Sequence, residues 1–282
     1  MRRFAAALTA IAATLAVVSV ASPAEAGRHD RVRPLAQAHA HNDYEHERPL
    51  LDALSHGFTS VEADVYLIDG ELLVAHDLED VQPGRTLEKL YLEPLARRVK
   101  ENRGSVHHRR GDFQLLIDLK NTGPATYAAV EDALARYPQV FTTAAQKHGR
   151  THVRRGAVQA VVSGDRPLAD MQARPVRRGF YDGRLTDLEG GLPASFMPLV
   201  SDNWTNHFTW TGVGPFPAAE KAKLRSIVDR AHRAGYRVRF WATPDVAGTA
   251  RDALWSELVK AGVDHVNTDD LAGLERFLRH RR

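Results

Sequence analysis

The stretch Phe58-Thr-Ser-Val-Glu-Ala-Asp64 is an apolar run that closes on two carboxylates, Glu62 and Asp64. Side chains two positions apart on a β-strand emerge on the same side, so both carboxylates face the same way. Two further pairs end apolar runs with the same spacing: His39 with His41, and Asp118 with Lys120. Ionisable pairs at the ends of buried strands predict an active site at one edge of a sheet.

Strand patterns alternate with helical patterns along the rest of the chain, with no linker rich in Pro, Gly or Ser. The predicted strands are Leu35–His41, Thr59–Tyr66 with a continuation Leu72–His76, Phe113–Lys120, Ala157–Ser163, Gly179–Asp182, Met197–Ser201, Arg237–Ala242 and His265–Thr268. The predicted helices are Pro49–His56, Leu87–Glu101, Ala125–Arg136, Ala218–Ala234, Thr249–Ala261 and Leu271–His280.

This alternation predicts an α/β fold, a single (β/α)₈ TIM barrel. An open dinucleotide-binding sheet is disfavoured because no glycine-rich phosphate loop follows the first strand. In a barrel the carboxyl ends of the strands carry the chemistry, so the three ionisable pairs would converge on one pocket mouth.

Residues 1–26 have the form of an export signal, with Arg2 and Arg3, an apolar alanine-rich run and the small-residue site Ala24-Glu25-Ala26. We expect cleavage after Ala26, a secreted protein, and one domain over residues 27–282. An uncleaved anchor is the alternative, and the general or twin-arginine export route stays open. The chain has no cysteine, which excludes disulfides, thiolate metal sites and a cysteine nucleophile.

The net charge of +3 comes from arginines scattered along the chain, as on a solvated surface. We expect a monomer that makes at most transient contact with an anionic membrane surface. Nucleic acid is excluded as a partner because no basic stripe with interleaved aromatic residues is present.

Glu62, Asp64 and Asp118 form a hard oxygen donor set that suits one Mg²⁺ or Ca²⁺ ion rather than a soft metal. The alternative is a salt bridge between Asp118 and Lys120 and a loop-capping role for Glu62. Histidine carries protons near neutral pH, and only position separates His39, His41 and His76 from the other histidines. Four further residues are predicted to line the pocket and bind substrate: Asn42, Ser163, Asp202 and Trp241.

These residues resemble the phosphatidylinositol-specific phospholipase C-like phosphodiesterases, which include glycerophosphodiester phosphodiesterases and sphingomyelinase D-type toxins. The resemblance covers most of the chain after residue 26. It consists of an early histidine, Glu62-Ala63-Asp64, His76-Asp77, Asp118-Leu119-Lys120 and the closing Gly262-Val-Asp-His-Val-Asn-Thr-Asp-Asp270. The segments Ala38-His-Ala-His-Asn-Asp-Tyr44 and Phe240-Trp-Ala-Thr-Pro-Asp245 look most like a branch that includes an altered-inheritance-of-mitochondria protein.

The resemblance implies a barrel enzyme that cleaves a glycerophosphodiester or phospholipid head group with one divalent cation, held by Glu62, Asp64 and Asp118. Two histidines would then do acid–base work, with Lys120 offsetting charge on the phosphoryl oxygens. The attacking group would be water, or a substrate hydroxyl that gives a cyclic phosphate. This sequence departs from the family in lacking a His-Arg-Gly motif, so a phosphate-binding arginine is missing and the choice between His39 and His41 stays open.

Two other functions remain. His39-x-His41 also resembles the histidine ligands of amidohydrolases and of polymerase-histidinol-type phosphatases, but such a site needs more histidines after the middle strands, and His207 is the nearest. A secreted barrel that binds without turnover is the third hypothesis. The head group is open among glycerophosphodiesters, lysophospholipids, inositol lipids and sphingolipids.

Overall fold

A computed structural model describes residues 32–280. The predicted export signal at residues 1–26 and its cleavage site lie outside the described residues. The strands are β1 (Leu35–Ala40), β2 (Phe58–Ile68), β3 (Glu71–Val74), β4 (Phe113–Leu119), β5 (Thr143–Lys147), β6 (Arg150–Arg154), β7 (Val158–Gly164), β8 (Val176–Arg177), β9 (Gly179–Gly183), β10 (Leu199–Asn203), β11 (Arg237–Trp241) and β12 (His265–Thr268). The helices are α1 (Leu51–Ser55), α2 (Glu93–Glu101), α3 (Gly123–Ala135), α4 (Leu168–Ala173), α5 (Trp204–His207), α6 (Ala218–Arg233), α7 (Thr249–Ala261) and α8 (Leu271–His280).

Eight strands pair in parallel and form a closed barrel, which confirms the predicted (β/α)₈ fold. The order around the barrel is β1-β12-β11-β10-β9-β7-β4-β2, and the pairing of β1 with β2 closes it. The first strand is therefore held between the second and the last. Their carboxyl ends meet at one end of the barrel, called the mouth below.

The interior of the barrel has an apolar half and a polar half. The four strands β4, β7, β9 and β10 are neighbours, and they contribute a small apolar cluster that contains Leu116, Val161, Phe180 and Leu199. The other four strands contribute the buried polar side chains His39, Glu62, Arg239 and His265. The larger apolar core contains residues of every helix, with Trp204 as the contribution of α5. It packs between the barrel and the surrounding helices.

Two additions to the barrel matter for the pocket. The strand β3 forms a hairpin with the long β2 and returns the chain to the mouth just before His76. A separate antiparallel sheet has the order β6-β5-β8; β5 and β6 are inserted between α3 and β7, and β8 lies between α4 and β9. Its hairpin turns at His148 and Gly149, which both have positive φ, as a two-residue type I′ turn requires. This sheet was not predicted from the sequence, because its short strands are largely exposed and show no apolar alternation.

The predicted helices are found with small changes at their ends. A π-helical turn, Glu88–Leu92, precedes α2. Pro94 lies in the first turn of α2. Proline has no amide hydrogen to donate, which suits it to such a position. Between residues 32 and 280, no helix combines the length and the apolar character that crossing a membrane requires.

Candidate active site

The predicted site residues gather at or just below the barrel mouth. Asp64, Asp118 and Ser163 are direct register partners on the adjacent strands β2, β4 and β7. Asp202 and Trp241 end β10 and β11, and the two histidines and Asn42 come from the end of β1 and its loop. Six barrel strands therefore supply the candidate side chains, and the β3 hairpin adds His76.

His41 lies at the mouth and is held by the opposite end of the chain. Its Nδ1 lies 2.8 Å from Oδ1 of Asp269, which follows β12, and Nε2 has no hydrogen-bond partner among residues 32–280. Burial by itself lowers the pKa of His41, but the hydrogen bond that its ring donates to Asp269 and the charge of Glu62 outweigh burial and raise the pKa above its ordinary value. A histidine oriented by a carboxylate through one nitrogen, with the other nitrogen available, has the geometry of a general acid or base.

His39, two residues earlier, is fully buried below the mouth. Its Nδ1 lies 2.7 Å from Ser60 Oγ, and its Nε2 lies 3.2 Å from Glu62 Oε2. Burial, together with the nearby Arg239 charge, lowers the pKa of His39 to about 3. Because both ring nitrogens are occupied and the ring has no exposed surface, His39 has no route to substrate in this arrangement, and its predicted catalytic role lacks a structural basis.

His76 stands on the other side of Asp64, half-exposed at the mouth. Its Nδ1 lies 3.1 Å from both Asp64 Oδ2 and the hydroxyl of Tyr44. The Tyr44 hydroxyl lies 2.7 Å from the same Asp64 oxygen and 3.0 Å from Oδ1 of Asn42. Tyr44, which was not predicted as a site residue, therefore joins the β1 loop to Asp64 and His76.

Lys120 lies between the carboxylates of β2 and β4. Its Nζ is 2.7 Å from Asp64 Oδ2 and 3.3 Å from Asp118 Oδ1. Burial alone lowers the pKa of Lys120, but the charges of Asp64 and Asp118 outweigh burial and raise it, so the ammonium stays protonated. Burial and the neighbouring carboxylates Glu62 and Asp118 raise the pKa of Asp64.

Glu62 lies one layer deeper and pairs with an arginine from the far side of the barrel. Arg239 on β11 places a terminal guanidinium nitrogen 2.5 Å from Glu62 Oε2, and its Nε donates to Asn267 at 2.8 Å. Burial by itself raises the pKa of Glu62, but the Arg239 charge outweighs burial and holds that pKa well below its ordinary range. Glu62 is therefore a buried anion with a buried cationic partner, and not a loop cap.

A second arginine reaches the mouth from the loop after β9. Arg184 lies 2.8 Å from Oδ2 of the fully buried Asp182 and 3.3 Å from Ser163 Oγ. Since Ser163 is the register partner of Asp118, Arg184 stands beside the carboxylate edge of the site. Arg184 supplies a cation that the absent His-Arg-Gly motif does not.

Asp202 and Trp241 border the site without joining the carboxylate cluster. Asp202 Oδ2 accepts a hydrogen bond from the Leu185 amide at 3.1 Å and lies 3.2 Å from His207 Nε2. Trp241 is half-buried and pairs in register with Asn203. His207 therefore lies by Asp202, and no second histidine cluster appears among residues 32–280, so the amidohydrolase-like hypothesis finds no ligand set here.

The carboxylates fit a divalent cation in chemistry but are not gathered around one. Asp64 Oδ1 is buried and has no hydrogen-bond partner among the described residues, which suits a ligand atom. However, within residues 32–280 no group of three acidic or histidine side chains is arranged to hold a metal ion. Glu62 is turned to Arg239 and Asp118 to Lys120. A cation at Asp64 would therefore have to draw Glu62 and Asp118 away from these partners.

Comparison with known proteins identifies the family of this chain. A family model described as the AIM6-like phosphodiesterase domain matches residues 29–182, more than half of the chain. The chain belongs to the AIM6-like phosphodiesterase family. A model of the glycerophosphoryl diester phosphodiesterase family also matches residues 237–272.

Similar proteins of this family come from fungi. The altered inheritance of mitochondria protein 6 of Eremothecium gossypii is 30% identical over 281 residues, covering 86% of this chain and 69% of that protein. A homolog in Arthroderma benhamiae is 29% identical over 259 residues, covering 83% and 81%. A crystal structure of a glycerophosphoryl diester phosphodiesterase from Parabacteroides distasonis shares the fold, with a TM-score of 0.52, 14% identity and 90% coverage of both chains.

Proposed function

We propose that this AIM6-like chain cleaves a phosphodiester at the barrel mouth, with His41 and His76 as the acid–base pair. The observation that carries the proposal is the matched anchoring of the two histidines. Each is held through Nδ1, by Asp269 or by Asp64 and Tyr44, so each can use Nε2 for proton transfer. Lys120 lies beside Asp64, where its charge can stabilise a phosphoryl group.

In this mechanism His76 Nε2 takes a proton from the attacking hydroxyl as the new phosphorus–oxygen bond forms. His41, whose raised pKa favours the protonated ring, gives a proton to the leaving oxygen as the old bond breaks. Lys120 and Arg184 offset the charge of the phosphoryl oxygens. When the attacking hydroxyl belongs to the substrate, the first product is a cyclic phosphate.

The proposal includes one Mg²⁺ or Ca²⁺ ion held by Asp64, Glu62 and Asp118. When bound, such an ion would polarise a phosphoryl oxygen. Two observations support the ion: Asp64 Oδ1 has no hydrogen-bond partner among the described residues, and carboxylate oxygens are the ligands that Mg²⁺ and Ca²⁺ prefer. Calorimetric titration of the purified chain with each ion tests this: Asp64→Asn should abolish binding, whereas Asp77→Asn, a neighbouring exposed acid, should keep it. Equal binding by both variants would remove the metal from the proposal.

Apolar side chains around the mouth favour a lipid as the source of the phosphodiester. Among residues 32–280, the three most exposed large apolar residues are Val246 at 88%, Val213 at 73% and Leu78 at 59%, and all three lie on connections at the mouth end. Burying a valine or leucine side chain contributes about 1.5–3 kcal/mol. These residues are therefore suited to contact a lipid surface while the head group enters the pocket, as expected for a secreted enzyme acting on lipids.

The activity is tested by measuring release of glycerol phosphate, choline, inositol phosphate and cyclic phosphate from a panel of phosphodiesters. His76→Gln should reduce kcat by about 10²-fold or more, because general acid–base groups contribute about 10²–10⁴-fold. The matched control His108→Gln changes an exposed histidine on the connection that leads into the amino end of β4, away from the mouth, and should keep full activity. Activity that survives His76→Gln unchanged would reject the proposed mechanism.

The lipid preference is tested with the double variant Val213→Ser, Val246→Ser. Hydrolysis of phosphatidylcholine–phosphatidylglycerol vesicles should fall several-fold, while hydrolysis of a short-chain soluble phosphodiester stays constant. The control is the double variant Val153→Ser, Val176→Ser. These two valines lie in the inserted sheet, and their solvent exposures are similar, at 42% and 41%. If both double variants hydrolyse vesicles at the same rate, the exposed apolar residues at the mouth have no part in substrate binding.

A further inference from the structure

A second cavity lies at the opposite end of the barrel from the mouth. It has a volume of about 410 Å³. Its walls come from residues at or near the amino ends of the strands, among them Phe113, Gln159 and Arg237, and the inserted sheet covers it with Val153 and Arg155. Cavities that bind small molecules span roughly 300–1,000 Å³, so this amino-end cavity is large enough for a ligand.

Arg237 brings a positive charge into this cavity without an acidic partner in contact. Its guanidinium donates to Gln159 Oε1 at 2.6 Å and lies 3.3 Å from His265 Nε2, and it forms no ion pair within residues 32–280. Gln159 is uncharged, and burial lowers the pKa of His265 so far that its ring is neutral. The carboxylates of Asp264, Asp112 and Asp182 act on Arg237 only across a distance, so a bound anion in contact with it would lower the cost of keeping this cation out of water.

The rim of the cavity adds a second cation. Arg155 follows β6, is exposed and forms no ion pair among the described residues. Asp112 is the one acidic side chain among the lining residues, and it acts on Arg237 across a distance rather than in an ion pair. The lining therefore carries one more positive than negative charge.

Apolar surface completes the lining. The rings of Phe113 and Phe180 contribute to the wall, together with Pro198 and Ala157. A bare inorganic ion would leave most of this surface without contact. A ligand with one charged end and a short apolar body would satisfy both the arginines and the rings.

We propose that the amino-end cavity is a binding site for a small organic oxyanion, whose carboxylate or phosphate pairs with Arg237 and Arg155 and whose apolar body contacts Phe113 and Phe180. The ligand enters from the end of the barrel opposite the proposed catalytic mouth. This second site does not depend on the proposed phosphodiesterase activity.

Calorimetric titration with hexanoate and with hexyl phosphate tests the site and separates carboxylate from phosphate ligands. The unmodified chain should bind one of these probes. Arg155→Gln should weaken that binding about tenfold or more, because a hydrogen bond to a charged group contributes about 1.5–3 kcal/mol. Ala194→Phe, which puts a ring into the cavity without changing its charge, should weaken binding to a similar degree.

Two controls separate the cavity from other anion sites. Arg150→Gln removes an exposed arginine of β6 that does not line the cavity, and Lys120→Met removes the cation at the mouth. Both should bind the probe as tightly as the unmodified chain. Hydrolysis by Arg155→Gln should also stay unchanged, since Arg155 lies away from the mouth.

Absence of binding to either probe would overturn the proposal. So would an unchanged affinity, equal to that of the unmodified chain, in both Arg155→Gln and Ala194→Phe, or loss of binding in Lys120→Met alone. Thermal melts of each variant establish that it is folded before titration, and Arg155 is exposed, so its replacement leaves the core intact.

Discussion

The two halves of the barrel interior are stabilised in different ways. On β4, β7, β9 and β10 one layer of inward residues is apolar and packs together, as Leu116 and Leu199 do. On β11, β12, β1 and β2 the inward residues are polar, and each is held by a specific partner, as Glu62 is by Arg239. Apolar packing tolerates small shifts, whereas a buried charge depends on one partner. The proposed chemistry draws mainly on the polar half and the carboxyl end of β4.

The largest expected effect separates two histidines of the same strand end. His41→Gln should reduce kcat for phosphodiester cleavage by about 10²–10⁴-fold, because it removes a proton carrier at the mouth. It should change the free energy of unfolding little, since the ring is partly exposed. His39→Gln should do the reverse, lowering stability through loss of the contacts to Ser60 and Glu62. Kinetic assays measure kcat, and urea unfolding measures the stability of the two variants. If His39→Gln and His41→Gln lost the same factor in kcat at the same folded fraction, the catalytic role would not belong to His41 alone.

The next largest effect is the loss of stability expected when the buried ion pair of the polar half is broken. Arg239→Met should lower the free energy of unfolding by about 3–5 kcal/mol, because it leaves Glu62 buried without its cation. The double variant Glu62→Gln, Arg239→Met should recover part of that loss, since no charge is then left unpaired. Urea denaturation of the three variants gives the comparison. Additive losses in the double variant would show that the two groups do not depend on each other.

In the apolar half, Leu199→Ala should cost about 2–5 kcal/mol of unfolding free energy. The loss comes from fewer apolar contacts and from the cavity left among Leu116, Val161 and Phe180. Activity per folded molecule should stay near that of the unmodified chain, because no charged partner is disturbed. A large fall in kcat for the folded variant would show that the two halves are coupled.

The smallest effect, measured per pH unit, is a pH dependence from Asp43, just below the mouth. Burial raises the pKa of Asp43 to about 7, opposed by hydrogen bonds from the Leu50 amide and the Tyr91 hydroxyl, and Asp52 adds a repulsive charge. The folded chain therefore binds a proton that the unfolded chain has already lost near pH 4. Stability from this group is full below about pH 4 and falls up to about pH 7, by at most about 1.4 kcal/mol per pH unit.

Asp43→Asn removes this titration and keeps the shape of the side chain. Unfolding free energies at pH 5, 6 and 7 should decline more steeply for the unmodified chain than for the variant. Parallel pH profiles would mean that Asp43 does not hold its proton in the folded state.

The sequence predicted the barrel because strand and helix periods alternate so regularly, and it predicted the mouth because acids and histidines end the apolar strands. It missed Arg239, although Arg237 and Arg239 show the same spacing of two residues as the pairs that were recognised. Its partner Glu62 is 177 positions away, and no local pattern links them. Tyr44 and Asp269 were in the quoted motifs, but their contacts depend on how the loops fold back over the mouth.

The contact of Asp269 with His41 would couple the proposed activity to the completion of folding. One residue follows the last strand of the barrel and the other follows the first, so the pair forms when β1 has docked between β2 and β12. A chain still being synthesised, or one caught half-folded, would carry every residue of the β2 and β4 cluster and yet lack an oriented His41. Under the proposed mechanism such a chain would be inert until the barrel closes.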